Sequence, residues 1–233
     1  MASNRFYYTI AVFMTVILLI SCMKTLPTPG FAVDDEAEKI AADAGFSPEI
    51  AIILQKAAHD GIRRMRTADD NGTVIPVNGI ESPVTVEHFE KCLKKIQKKT
   101  VGMNVLVFRS ERNFGIKPDM VAVIKSTDQF DILRIRQTNG FTDSVSTVTI
   151  IETLQRWHNR SPFVITGAGI DWVELEFVAL PADLITFARE VYALCPDVLS
   201  QGSGSIEALA EEIGRTNTLF LWWENPPYKT DPH

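Results

Sequence analysis

The chain has 233 residues, of which 23 are Lys or Arg and 29 are Asp or Glu, and its formal net charge at pH 7 is −6. Proteins that bind the nucleic-acid backbone depend on many Lys and Arg contacts, so an acidic chain is a poor candidate for that class. Three cysteines and four histidines provide no four-ligand zinc pattern, and we expect neither a metal nor another cofactor.

Residues 1–21 have the features of a signal peptide for export. Arg5 places a positive charge ahead of residues 10–20, which are almost entirely apolar. That run is about half as long as the ~20 residues of a membrane-spanning helix, as expected of a leader that is cleaved. Residues 19–22, with the sequence LISC, resemble the bacterial lipobox, whose cysteine is lipidated and becomes the new N-terminus. We therefore predict a lipoprotein signal peptide with lipidation at Cys22, the alternatives being an ordinary signal peptide or a short uncleaved anchor.

Lipidation at Cys22 predicts attachment to a membrane of the bacterial cell envelope. Several acyl chains together attach a protein stably to a membrane, whereas a single chain holds it only marginally. Met23 follows the cysteine, so the aspartate that would indicate retention at the inner membrane is lacking, and we expect the outer membrane if the host is Gram-negative. Residues 22–33 contain two prolines and a glycine and are predicted to form a tether.

Residues 34–84 are predicted to be a mainly helical N-terminal extension. Apolar residues recur at helical spacing through residues 34–66, and Ser47 followed by Pro48 resembles the start of a helix. The dipeptide Asn71-Gly72 predicts a turn that leads into a short strand. This extension would precede the main domain.

Residues 85–225 have the alternating helices and strands of an α/β domain. Two Val-rich runs, at 104–108 and 120–124, are typical of strands that are covered on both faces. Further strands are predicted at 163–169, 172–180 and 218–224, and helices over 86–98, 128–136, 147–157, 183–194 and from 205 onward. The prediction is an α/β (α+β) fold with a mixed sheet of about five strands flanked by helices, followed by a tail over residues 226–233.

Two stretches of this domain resemble binding motifs, but we interpret both as structural elements. The basic run KCLKKIQKK at residues 91–99 has helical spacing and is predicted to be a solvated helix face, so we expect no nucleic-acid partner. The stretch ITGAGID at residues 165–171 lies between two predicted strands. We interpret its glycines as a hairpin turn that uses positive φ, because a phosphate loop would need a third glycine and a following helix.

The last third of the chain resembles a known bacterial family. A helix is followed by Cys-Pro-Asp, Gln-Gly, a second helix, and a strand that ends in two tryptophans. This order resembles the family called domain of unknown function 4253, whose members close on Trp-Trp-Asp. The matching positions are Cys195, Pro196, Asp197, Gln201, Gly202, Trp222 and Trp223, and Glu224 replaces the final aspartate. The resemblance covers residues 85–225 and implies a fold, with no established activity.

The remaining cysteines, Cys92 and Cys195, raise a structural and a catalytic possibility. They could form a disulfide or stay as two buried free thiols, and we prefer the second interpretation. At a helix N-cap, the dipole could lower the pKa of the Cys195 thiol, but a nucleophile also needs a base, for which His158 on another helix is the candidate. Asp197 is explained as an acidic residue at a helix start. We interpret Cys195 as structural and keep these three residues as the catalytic candidates.

Carboxylates offer a second route to catalysis. Two of them that converge in a cleft could perform hydrolytic acid–base chemistry. The candidates are Glu111, Asp119, Glu174, Glu176, Asp197 and Glu224. A hydrolase that uses a carboxylate pair, or Cys195 with His158, is therefore the alternative function.

The tryptophans favour binding as the main function. Consecutive Trp222 and Trp223 on a strand point to opposite faces, so one is predicted in the core, and the other lies under a helix or lines a groove. Trp222, Trp223 and Glu224 are the predicted binding residues. We predict a non-catalytic binding domain, held at a membrane through Cys22, whose partner is an unknown protein or small molecule.

Overall fold

The computed structural model describes residues 34–68 and 73–224. The predicted leader, Cys22, the tether, the turn at Asn71-Gly72 and the tail over residues 226–233 lie outside the described residues. Within them the chain forms seven α-helices and seven strands. The helices are α1 (Asp35–Asp43), α2 (Pro48–Ala58), α3 (Val86–Lys99), α4 (Asp131–Arg136), α5 (Thr147–Arg160), α6 (Leu184–Leu194) and α7 (Ile206–Thr216). The strands are β1 (Arg63–Ala68), β2 (Val74–Val84), β3 (Val105–Glu111), β4 (Asp119–Lys125), β5 (Phe163–Ala168), β6 (Trp172–Phe177) and β7 (Thr218–Trp222).

All seven strands belong to one mixed sheet, in the order β1-β2-β4-β3-β5-β6-β7. Neighbouring strands are antiparallel except β3 and β5, which are parallel. The predicted mixed sheet flanked by helices is therefore confirmed. It contains the five predicted strands of the main domain, the strand predicted after Asn71-Gly72, which is β2, and one more, β1, from the segment predicted to be helical.

The prediction of helix up to Arg66 was wrong. Helix α2 ends at Ala58 because His59 takes the left-handed conformation, with φ 60°, and β1 follows from Arg63. Ile62 is buried as the helical pattern required, but it reaches the core from the start of a strand. Strand β2 pairs with β4 from Gly79 to Val84, so the sheet runs across the boundary that we placed at residue 85.

Helix starts and ends follow local signals in the sequence. The side chain of Asp183 accepts a hydrogen bond from Thr186 N at 3.0 Å and begins α6, and Ser205 accepts one from Ala208 N at 3.1 Å and begins α7. Helix α5 begins at Thr147, as predicted, and its cap is Ser146, whose side chain accepts a hydrogen bond from Thr149 N. The lysines of residues 91–99 are exposed on α3, as predicted for a solvated helix face. In the part of the chain that the structure describes, no helix has the length and apolar character to span a bilayer.

Helices cover the sheet in two layers. Along β4 the side chains alternate, so that Val121 and Val123 pack in one core with α1–α3, while Ala122 and Ile124 pack in the other with α4–α7. All four residues are fully buried, as expected of a strand covered on both faces.

The layer formed by α1–α3 does not extend over the whole sheet. On the face of β5, β6 and β7 that points away from α4–α7, Val164, Glu176 and Thr218 are exposed to solvent. The same face carries Trp172 and Phe220, which stack on each other. This partly uncovered corner of the sheet is where the candidate site lies.

The β5–β6 hairpin forms as predicted, but the reason for its glycines is different. Neither Gly167 nor Gly169 is among the glycines with positive φ in the described residues. A Cβ atom on Gly169 would lie 2.1 Å from Trp172 Nε1, and one on Gly167 would lie 2.8 Å from Trp172 Cζ3. The hairpin needs glycine because the Trp172 ring folds against its backbone.

We expect Gly169→Ala to destabilise the protein by about 1–3 kcal/mol, because the added methyl group would displace the Trp172 ring. Urea denaturation followed by circular dichroism measures the free energy of unfolding. Gly61→Ala is the matched control, since a Cβ atom there would meet no atom within 4 Å. Equal stability of the two variants would contradict this packing.

Candidate functional site

The Cys-Pro-Asp and Gln-Gly positions form the joint between α6 and α7, as predicted. Cys195 ends α6, and a turn through Pro196 leads into a π-helical turn at Leu199–Ser203. Gly204 closes that turn with φ 79°, a conformation that favours glycine. Cys195 is thus the C-cap of α6 and not the N-cap of a following α-helix, so the helix-dipole argument for a lowered thiol pKa does not apply.

Hydrogen bonds connect this joint to the end of β7. Cys195 Sγ donates to the Trp222 carbonyl oxygen at 3.0 Å, and the Glu224 N–H donates to Asp197 Oδ2 at 2.9 Å. Gln201 Nε2 donates to Glu224 Oε2 at 3.3 Å. We call this set, made of Cys195, Asp197 and Gln201 bound to residues 222–224, the clasp. It holds the C-terminal end of the edge strand against the two helices.

Trp223 anchors the same segment in the core. Its side chain is fully buried, and Nε1 donates to the Leu194 carbonyl oxygen at 3.2 Å. A Cβ atom on Gly140 would lie 2.5 Å from Trp223 Cδ1, so the ring packs directly on that backbone. Trp222 is half-buried and lines a cleft. One tryptophan is in the core, as predicted, and the other lines a groove, which is one of the two places expected for it. Trp223, predicted as a binding residue, is enclosed by the core and does not line the cleft, and Glu224 is exposed at the clasp.

A cleft of about 620 Å³ lies beside β7. This volume falls within the range of ordinary ligand sites, about 300–1,000 Å³. Aromatic side chains and one arginine line one side, and residues of α7 and the α6–α7 joint line the other. The lining includes Arg112, Phe114, Trp172, Phe220, Trp222 and Gln201.

The aromatic side of the cleft consists of planar side chains that lie against one another. Trp172 stacks on Phe220 with ring centroids 5.8 Å apart, and Phe114 meets Phe220 edge-on at 6.4 Å. The Arg112 guanidinium carbon lies 5.1 Å from the Phe220 ring centroid and 5.4 Å from that of Phe114. Phe114 is 73% exposed, so this surface offers apolar and π contacts to a ligand.

A buried arginine, Arg109, is connected to this surface through an ion pair with Glu174. Arg109 NH1 binds Glu174 Oε2 at 2.8 Å, and Arg112 NH1 binds the other oxygen of the same carboxylate at 2.9 Å. Arg109 also pairs with Glu90 at 2.9 Å and lies 3.2 Å from Asp119 Oδ2. The carboxylate candidates Asp119 and Glu174 are therefore both engaged in ion pairs, and Glu174 fixes Arg112. Glu111 is likewise paired with Arg63 at 2.7 Å.

The exposed edge of β7 adds unpaired backbone groups. Trp223 N–H donates to the Asp171 carbonyl oxygen and Phe177 N–H donates to that of Asn217, so the odd-numbered residues of β7 face β6. Alternation along an antiparallel strand then turns the Phe220 N–H and C=O outward. Among the described residues neither group has a hydrogen-bond partner. Phe220 thus presents both its ring and its backbone to a ligand.

The catalytic candidates do not come together. Burial raises the pKa of the Cys195 thiol to about 12, although its bond to Trp222 opposes the shift. His158 Nδ1 accepts from Phe163 N–H at 3.2 Å, and its ring packs edge-on against Phe130 and Phe163. No hydrogen bond joins Cys195 to His158 in the described part of the chain. Asp197 is occupied by the clasp.

Cys92 and Cys195 are both buried free thiols. They belong to the cores on the two opposite faces of the sheet, so the sheet itself separates them. Burial raises the pKa of Cys92 to about 11.

Sequence reasoning found Trp222 but missed its neighbours. Nothing in the sequence connected Phe220 with Arg112 and Phe114. Those two residues lie after β3, and only the sheet order brings them to β7.

Residues 120–224 match the family described as Domain of unknown function (DUF4253). The matched residues run from β4 to the clasp and include every position of the clasp and Trp223. No curated protein and no solved structure matches the chain.

The raised thiol pKa values predict that both cysteines are inert in the folded protein. A thiol whose pKa lies near 11 or 12 stays protonated at pH 8, and the thiolate is the reactive form. We expect iodoacetamide at pH 8 to leave Cys92 and Cys195 unmodified until urea unfolds the chain, measured by peptide mass spectrometry. Fast labelling of Cys195 in the folded protein would show that its thiolate is accessible and would reopen the catalytic interpretation.

Proposed function

We propose that this chain, whose residues 120–224 match the DUF4253 family, binds an extended segment of a partner protein in the cleft beside β7, and that a lipid at Cys22 holds it at the bacterial cell envelope. The proposed activity is binding, without catalysis.

The observation that carries the proposal is the position of Phe220 on an edge strand. An extended peptide adds to a sheet edge through main-chain hydrogen bonds, and its side chains fill neighbouring pockets. The outward N–H and C=O of Phe220 supply those bonds. Trp172, Trp222 and Phe114 supply apolar contacts on the face beside them.

The hydrogen bonds of the clasp favour binding at this edge. An unsupported edge strand frays easily, whereas a partner that adds a strand gains from a template already held in place. Cys195 and Asp197 hold the end of β7, and Trp223 anchors it in the core. The cleft side of the strand keeps Phe220 and Trp222 available.

The chemistry around the cleft supports a non-catalytic role. The Cys195 thiol is protonated at neutral pH and donates to a backbone carbonyl group. Glu174 forms ion pairs with two arginines, Arg109 and Arg112, and its role is to position Arg112. A hydrolase needs a nucleophile with a base, or a carboxylate that is free to act, whereas Cys195 and Glu174 are already engaged in these contacts.

Photo-crosslinking in the living host tests the binding proposal. We replace Phe220, or the exposed Phe114, by p-benzoylphenylalanine and identify crosslinked peptides by mass spectrometry. We expect adducts with one partner protein from both positions, and few from the control position Tyr192, which is exposed on α6 outside the cleft. Trp222→Ala should lower the yield at Phe114 by about tenfold, as loss of an interface tryptophan usually does.

Two results would contradict the proposal. Equal yields from Phe220 and Tyr192 would mean that the cleft is not a preferred surface. Adducts that carry only a small molecule would show that the cleft binds a small ligand and not a partner protein.

The lipid anchor has a separate test. We expect the intact mass of the wild-type protein to lack residues 1–21 and to carry acyl chains, and Cys22→Ala to carry none, because the thioether needs the cysteine sulfur. Membrane fractionation in high salt should retain the wild-type protein, since attachment by several chains is stable. A wild-type protein that keeps residues 1–21 without acylation would favour an uncleaved anchor.

A further inference from the structure

A second cavity, of about 500 Å³, lies between β1, the end of β3 and the end of α4. None of the residues that line it lines the cleft beside β7. Four arginines surround this cavity in a chain whose net charge is −6. Its polar and charged lining consists of Arg63, Arg64, Arg66, Arg136, Thr67 and Glu111.

Arg136 is the most unusual of these groups. It is only 5% exposed, and one guanidinium nitrogen, NH1, donates to the Arg66 carbonyl oxygen at 2.5 Å. Its Nε has no hydrogen-bond partner in the described part of the chain, and no carboxylate there lies within 4 Å of the guanidinium group. A buried charge without a paired opposite charge is costly.

The carboxylates near Arg136 act on it only at a distance. Burial lowers the pKa of its guanidinium group, while the charges of Glu81, Glu111 and Asp171 oppose that shift. Glu81 and Glu111 are both bound to Arg63, at 2.9 and 2.7 Å, and Glu111 also lies 3.5 Å from Lys117. These carboxylates are therefore already shared among other cations.

Two further arginines add positive charge without a carboxylate of their own among the described residues. Arg64 donates to the carbonyl oxygens of Asp43 at 2.8 Å and Val77 at 3.1 Å, which fixes the side chain but leaves its charge unbalanced. Arg66 is exposed and lines the cavity. Together with Arg136 they are three arginines that line one cavity and form no ion pair with a carboxylate of the described residues.

We propose that this cavity binds a phosphate group, carried either by a small soluble anion or by a lipid headgroup. The planar guanidinium fork matches the oxygens of phosphate, and it forms charge-assisted hydrogen bonds that are stronger than neutral ones. A phosphate dianion brings more negative charge to Arg66 and Arg136 than a single carboxylate does. The bound anion would also compensate the buried charge of Arg136.

Isothermal titration of the full chain with inorganic phosphate, in a buffer of low salt, tests the proposal. We expect binding that Arg136→Gln and Arg66→Gln each weaken by about tenfold or more, because each removes a charge-assisted contact. The exposed Arg66 tests the site even if the buried variant fails to fold. Arg134→Gln is the matched control, since Arg134 lies on the same helix and binds Asp128 and Asp131 instead. It should bind phosphate as the wild type does.

The source of the phosphate group is distinguished by comparing inorganic phosphate with glycerophosphoglycerol, a lipid headgroup without its acyl chains. Preference for the monoester-like inorganic ion indicates a soluble ligand, and preference for the diester indicates a lipid headgroup. Acetate is the carboxylate control. Absence of binding by both phosphates, equal binding by acetate, or an equal loss in Arg134→Gln would overturn the proposal.

Discussion

The burial of β4 on both faces is the constraint on which the rest of the fold depends. Val121 and Val123 point to one helical layer, and Ala122 and Ile124 point to the other. Burying a valine or isoleucine side chain contributes roughly 1.5–3 kcal/mol, so neither layer can be lost without a large cost. A strand with no solvent-exposed face requires helices on both sides of the sheet. The layer of α1–α3 does not reach β7, so the aromatic surface there stays exposed.

The residues that mark the family act mainly inside the molecule. Cys195 and Asp197 use their polar atoms to hold residues 222–224, and Trp223 is enclosed by the core. Their effect on the cleft is indirect, because they fix the strand whose other side chains face it. Phe220 and Trp222 line the cleft, and Glu174, which pairs with Arg109, holds Arg112 beside the aromatic rings.

The sequence predicted elements whose signals are local. Strand β4 was readable from a continuous apolar run, and α6 and α7 from Asp183 and Ser205 at their starts. Strand β1 was not, because RRMRTA has no apolar alternation and becomes a strand only by pairing with β2. The alternation of Trp222 and Trp223 placed one of them in the groove, whereas Arg112 reaches the cleft through a sheet order that no local pattern encodes.

The place of β3 in the sheet has a consequence for where this domain can be cut. Strand β3 lies between β4 and β5, although it ends before residue 120, where the family match begins. Adjacent strands are about 4.8 Å apart, so a fragment starting there would leave a gap of roughly 10 Å between β4 and β5. Residue 120 is therefore the start of the family match but not the start of a folded unit. A fragment that keeps the sheet continuous has to begin before Val105.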